Sequence, residues 1–262
     1  MKLNKFFPVF LSMFMAVVFA IPVFAVTISV PGTSNPWLAG MPSGSRTSAG
    51  DVAPAQSPIL VTGTQLASGG ILVFSASGNV KFDPYGSSDG PDGLSRDAGH
   101  IWNAENGISG TTMPLDALAG VFLNDQQPDI SSAPPALDFS VLGFSFGSLS
   151  PALKQLFFIG DGLTGTGSGS LQKFVIPAGA TRLFLGTMDK GSYNNSGSFT
   201  VEVTLNQGQS TCSNDIVTYT AGTPAKAAEV NANFDVVRCQ IQTLQALKAI
   251  VCADHPTASI CQ

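Results

Sequence analysis

Phe199-Thr200-Val201-Glu202-Val203-Thr204-Leu205 alternates apolar and polar residues without a break. On an extended chain successive side chains point to opposite faces, so Phe199, Val201, Val203 and Leu205 share one face and Thr200, Glu202 and Thr204 the other. A strand with one apolar face must bury it against a second layer. Upstream, from Pro58 onward, short apolar runs recur between Gly, Asp, Asn and Pro: 71–74, 118–123, 137–146, 156–159, 174–176 and 183–185. No apolar period of helical length interrupts them. The pattern predicts an all-β domain over 57–206, an antiparallel β-sandwich of jelly-roll or galactose-binding-like type.

Outside those bounds the chain changes character. Lys2 and Lys5 precede an apolar run from Phe6 to about Phe24, and Val23-Phe24-Ala25 fits a small-residue cleavage pattern. Residues 1–25 therefore read as a secretory signal peptide. A membrane anchor is the rival reading, but no stop-transfer charge follows the run. The expected location is extracellular or periplasmic, with no membrane span after cleavage. Removing the two lysines takes the formal charge from −5 to −7, which excludes the basic footprint needed for nucleic acid or an anionic membrane. Residues 26–56, rich in Pro, Gly, Ser and Ala with Trp37 as the one large anchor, read as an extended segment lying against the domain or capping a sheet.

Residues 207–262 read as a helical tail carrying all four cysteines. In an exported chain an even number implies disulfides; of three pairings, Cys252 with Cys261 and Cys212 with Cys239 is preferred. A zinc site using His255 competes, but lacks Cys-x-x-Cys spacing. Thr223-Pro224 supplies an N-cap and a proline at the first helical position. Val230, Phe234, Val237, Ile241, Leu244 and Val251 then follow a 4-3-4-3 spacing, broken at Lys248. A helix over 224–251 would run about 42 Å. Its seam either packs on the sandwich or meets a second copy as a coiled coil, making the chain a homo-oligomer.

Several motifs match catalytic patterns by letter. Gly143-Phe-Ser-Phe-Gly147 has the form of a hydrolase nucleophile elbow around Ser145. The elbow needs a strand-to-helix turn with an Asp and a His further on; the one later histidine is His255, and the segment reads instead as a strand. Gly160-Asp-Gly-Leu-Thr-Gly165 has the dinucleotide spacing but runs on through Thr-Gly-Ser-Gly-Ser as a hairpin loop, with no helix to hold pyrophosphate. Asp83, Asp89, Asp92 and Asp97 sit in a Gly/Pro/Ser loop whose spacing is not that of an EF-hand. Asn194-Asn195-Ser196 is also a glycosylation sequon. These readings leave a non-enzymatic binding module, with a secreted hydrolase using Ser145 as the distant alternative.

Chemistry concentrates in Asp189-Lys-Gly-Ser-Tyr-Asn-Asn-Ser-Gly-Ser-Phe199, which feeds the alternating strand. One carboxylate and two adjacent amides in a tight turn are hard oxygen donors of the kind Ca²⁺ binds. The stretch resembles the calcium loop of the PA-IL type bacterial galactophilic lectins, whose loop runs Asp, a short turn, Tyr, then Asn-Asn-Ser-Gly-Ser-Phe. A fainter likeness covers Gly70–Gly78, Tyr85-Gly86 and Pro91-Asp-Gly93. The resemblance implies that Asp189 chelates Ca²⁺, that Asn194 and Asn195 give side-chain carbonyls, and that Ser192 gives a backbone carbonyl. It implies a further backbone carbonyl from Tyr85, with Phe82 an equal match. The open coordination positions would take two vicinal hydroxyls of a carbohydrate, galactose-type by resemblance, with Asp189 and Asn194 touching both ion and sugar. The family's sugar-gripping His and Gln have no counterpart here, and Asp92 is the candidate replacement. A structural surface or matrix protein, stiffened by Ca²⁺, is the alternative reading.

Overall fold

The computed structural model describes residues 25–206, apart from Gln65 and residues 96–98, together with positions 230, 233, 234, 237, 241 and 244, which are helical. Residues 1–24 of the signal peptide expected over 1–25, Asp97, His255 and all four cysteines with their pairing lie outside the described residues. No helix among the described residues is long and apolar enough to cross a membrane.

The strands run β1 (Ala25–Pro31), β2 (Ile59–Leu60), β3 (Ile71–Lys81), β4 (His100–Trp102), β5 (Thr111–Met113), β6 (Leu118–Leu123), β7 (Leu137–Asp138), β8 (Ser148–Leu149), β9 (Leu156–Phe158), β10 (Leu163–Gly165), β11 (Ser168–Leu171), β12 (Lys173–Val175), β13 (Arg182–Thr187) and β14 (Ser196–Asn206). The fold is all-β. One five-stranded sheet has the order β1-β14-β3-β12-β8 and a four-stranded sheet the order β2-β13-β6-β9. Their inner faces share one core: Phe199, Val201 and Val203 of β14 are fully buried, as are Leu118, Val121 and Phe122 of β6. Phe157 of β9 and Phe174 of β12 meet across the gap with ring centroids 5.5 Å apart. A three-stranded sheet, β4-β5-β7, and the β10-β11 hairpin complete the molecule.

β14 is the spine, and its burial alternates as its sequence does. It pairs with β3 from Ser196↔Lys81 to Asn206↔Ile71, and with β1 from Pro31↔Ser198 to Ala25↔Thr204. The start of the 26–56 segment is thus a sheet strand rather than a covering layer. Val26, Ile28 and Val30 carry the period of two, hidden by the Pro/Gly-rich composition that follows. Downstream, Asn35 caps a 3-10 turn, Pro36–Leu38, by accepting from the Trp37 N–H at 2.9 Å. Trp37 is buried, its Nε1 donating to Ser109 O at 3.1 Å.

The run 137–146 is not one strand. Asp138 accepts from the Ser140 N–H and caps a single helical turn, α1 (Phe139–Leu142), which Gly143 ends at φ +75. Phe144 and Phe146 then lean on the core beside Phe158 and Phe174. Helix precedes turn here, the reverse of a nucleophile elbow, and Ser145 is exposed. Residues 160–171 form the β10-β11 hairpin, as their glycine-rich sequence implies.

Candidate functional site

Two hairpin-like returns meet at one end of the sandwich. β13 leaves the four-stranded sheet at Thr187, and residues 188–195 carry the chain across to β14 in the other sheet. Inside this crossing, Ser192–Asn194 form a 3-10 turn. Its first two N–H groups would be unsatisfied in a short turn. Asp51 satisfies both: its Oδ2 accepts from Ser192 N at 2.7 Å and its Oδ1 from Tyr193 N at 3.0 Å. Asn35 Nδ2 donates to Asp51 Oδ2 at 2.8 Å and to Lys190 O at 2.9 Å. Asn35 and Asp51 are both fully buried. The segment that the sequence marks as a covering layer is therefore the clamp that shapes the loop. Neither residue stands out in sequence, because both sit among turn-forming neighbours.

Within the loop, Asp189 is half-buried and its Oδ1 accepts from the Gly191 N–H at 3.1 Å. Burial pushes its carboxyl up; hydrogen bonds from Gly191 and Asn195 push back, and the charge of Asp51 adds to the rise. Ser192 is fully buried, and its carbonyl accepts from the Asn195 N–H at 3.1 Å, leaving a second lone pair. Asn195 is 7% exposed; its Nδ2 donates to Gly32 O at 3.0 Å while its Oδ1 has no partner. Asn194 and Tyr193 are exposed at the rim. Lys190 lays its Nζ 5.2 Å from the centre of the Trp102 ring, a cation–π contact on the flank.

The loop after β3 closes the other side. Lys81 pairs with Ser196, so the next residues outward are Phe82 and Asn195. Tyr85 lies three residues further along, 97% exposed, with its N–H donating to Asp83 Oδ1 at 2.6 Å. Asp89 returns to β3 through paired backbone bonds with Val80 of 2.8 and 3.0 Å. Asp92 is engaged elsewhere, its Oδ1 accepting from the Asp161 N–H at 2.9 Å.

A residue that sequence reading missed completes the picture. Asp116 lies in the turn before β6. Its N–H donates to Met188 O and Ala117 O accepts from the Met188 N–H, both at 2.8 Å, so two residues oppose one in a β-bulge. Asp116 takes φ +64, a conformation that glycine usually supplies and aspartate tolerates. The side chain is fully buried, and neither oxygen has a hydrogen-bond partner. Its pKa is pushed up to about 8, first by burial, then by the charges of Asp189 and Asp89, with a smaller opposing effect from the Phe82 N–H. The Asp89 carboxyl is within hydrogen-bonding reach, but two carboxylates can bond only if one keeps a proton. The one sequence signal is an acid two residues ahead of the unbroken apolar run Leu118-Ala-Gly-Val-Phe-Leu123.

These oxygens suit a hard cation. Three oxygens of this site, Asp116 Oδ1 and Oδ2 and Asn195 Oδ1, are buried without a hydrogen-bond donor, where buried polar groups are ordinarily paired. Among the described residues, no three His, Cys, Asp or Glu side chains could hold a metal ion by themselves. Amide and backbone oxygens would have to complete the shell, as Ca²⁺ accepts and Zn²⁺ does not favour.

The fold and site together define a β-sandwich protein with an acidic-amide loop at one end. No family model matches the chain, and no curated protein does. Among solved structures, the N-terminal domain of EclA, described as a PllA-like lectin, is similar at TM-score 0.32 and 16% identity, over 69% of this chain and 95% of that chain.

Proposed function

We propose that this chain is a non-enzymatic, calcium-dependent carbohydrate-binding protein, with Ca²⁺ held by the Asp189–Asn195 loop. The observation that carries the reading is the Asn195 Oδ1: a buried amide oxygen with no donor, beside a half-buried carboxylate, in a loop clamped by Asp51. Leaving such an oxygen unpaired costs on the order of 1–3 kcal/mol, which a bound cation would remove. Asp189, Asn194, Asn195, the Ser192 carbonyl and a backbone carbonyl from Phe82 or Tyr85 are the ligands this reading assigns. Two vicinal sugar hydroxyls would fill the remaining positions, polarised by the ion and donating to Asp189. The likeness of the loop to the galactophilic lectins supports a galactose-type sugar; Asp92, bonded to Asp161, is the weakest of the assigned sugar contacts.

A single monosaccharide site buries little surface, so useful avidity would come from several sites on one assembly. Phe234, Val237, Ile241 and Leu244 are exposed along the tail, which supports pairing of that helix with a second copy. Export to the cell exterior or periplasm belongs to the same reading.

Calorimetry with calcium alone, then with a panel of monosaccharides, tests it. Wild type should bind calcium first and a sugar only afterwards, and Asp189→Ala should bind neither. EDTA should release the protein from a galactose matrix. A calcium-raised melting temperature with no heat from any sugar would replace the lectin reading with that of a calcium-stiffened surface or matrix protein.

A further inference from the structure

The Asp189 loop offers a divalent ion one carboxylate, so an ion held by that loop alone would keep a net positive charge in a partly buried site. Asp116 adds a second, buried carboxyl beside the loop, one that a bound divalent ion would draw into its ionised form. We infer that Asp116 is a ligand of the calcium ion and forms the buried floor of its site; the inference rests on the calcium reading above.

Geometry carries it. The bulge at Asp116 is tied by both of its backbone bonds to Met188, the residue immediately before Asp189. The two acidic residues are therefore laced together by the main chain. Bulges commonly re-aim one side chain beside a functional site, and here the bulge holds a non-glycine residue at φ +64. The Asp116 side chain is fully buried, and both oxygens lack donors. Asp51 shows what the alternative looks like: an equally buried carboxylate whose oxygens accept three hydrogen bonds. A carboxylate kept for structure is given well-placed donors; Asp116 has only the Phe82 N–H near it, and no hydrogen bond forms. Buried charges persist in proteins when they are paired or coordinate a metal. With Asp116 and Asp189 both ligating, the ion's charge is neutralised. Asp89, half-buried and held by Ser87 Oγ at 2.9 and 3.1 Å, would lie outside the inner shell.

Asp116→Asn is the direct test, because asparagine keeps the shape and tolerates positive φ. Calcium affinity should fall at least tenfold by calorimetry, and the calcium-induced rise in melting temperature should vanish. Without calcium the variant should melt higher than wild type at pH 8. Asp116→Gly, which the backbone favours, should repeat the loss of affinity and guards against a folding artefact. Asp89→Asn should change affinity less than threefold. A crystal of the wild-type protein grown with calcium should place an Asp116 oxygen about 2.3–2.6 Å from the ion. Calcium bound equally well by wild type and both Asp116 variants would overturn the assignment and leave the loop site standing. No calcium binding by wild type would overturn both.

Discussion

Asp51 and Asp116 are both wholly buried, yet the fold treats them in opposite ways. Asp51 accepts from two backbone N–H groups and one amide. Asp116 has no well-formed hydrogen bond, and burial first, then the charges of Asp189 and Asp89, oppose its ionisation, with the Phe82 N–H only weakly favouring it. The first is the hub that sets the loop's shape. The second breaks the usual rule of polar burial, and it persists beside a loop rich in cation-binding oxygens. Burial alone does not separate a structural acid from a functional one; the count of donors does.

Removing each side chain should therefore move stability in opposite directions. Asp51→Ala leaves the Ser192 and Tyr193 N–H groups and the Asn35 amide without an acceptor, and should cost about 3–5 kcal/mol in urea denaturation, as breaking a buried charged network does. Asp116→Asn should raise the stability of calcium-free protein. Equal losses from the two would erase the distinction.

Calcium and pH sharpen the same contrast. At a hundredfold excess over its dissociation constant, calcium should stabilise wild type by about 2.7 kcal/mol, and EDTA should reverse this. In EDTA the pH trend is unusual for a carboxylate. Unfolded, Asp116 ionises near its ordinary 3.8; folded, it holds its proton to about 8. Between those values the folded state binds one proton more than the unfolded state. Calcium-free stability should therefore fall as pH rises through that window and level off above it. Asp189, also raised, adds to the same trend. Melting temperatures from pH 4 to 9 check this, and Asp116→Asn should flatten the curve.

The parts of the molecule that follow a local rule were legible in the sequence. β14 announces itself because each residue of Phe199–Leu205 obeys a period of two, and the loop before it concentrates oxygen donors within a few residues. β1 obeys the same period over Val26, Ile28 and Val30, but a prolyl and glycyl stretch directly after it disguised its role. Residues 137–146 misled because a one-turn helix is too short to show a helical period, and Asp138 caps it like any turn residue. Asn35, Asp51 and Asp116 were illegible for a different reason. Their roles depend on contacts far away in the chain, 141 positions in the bond from Ser192 to Asp51, and no spacing pattern encodes that. Phe82 shows the limit of alignment: only the pairing of Lys81 with Ser196 shows which residue adjoins Asn195.

The smallest expected effect separates Gly191 of the loop from Gly197 at the start of β14. Gly191 has φ −118, and an added Cβ would meet its nearest neighbour, Ala49 Cβ, at an ordinary 3.6 Å. Gly197 has φ +80, and a Cβ there would stand 2.3 Å from Asn79 O, in the backbone of the neighbouring strand. Gly191→Ala should thus stay within about 0.5 kcal/mol of wild type, since the Gly191 N–H still reaches Asp189. Gly197→Ala should cost about 1–3 kcal/mol, because backbone cannot swing aside as a side chain can. The two substitutions also divide the supports of the site. Asp51 holds the loop from the N-terminal segment, whereas Gly197 fixes where it enters β14 and so where Asn195 sits. Weaker calcium binding by Gly197→Ala, with Asp51 intact, would show that the strand entrance orients the amide oxygen independently of the clamp. Unchanged calcium affinity would assign that task to Asp51 and Gly32 alone.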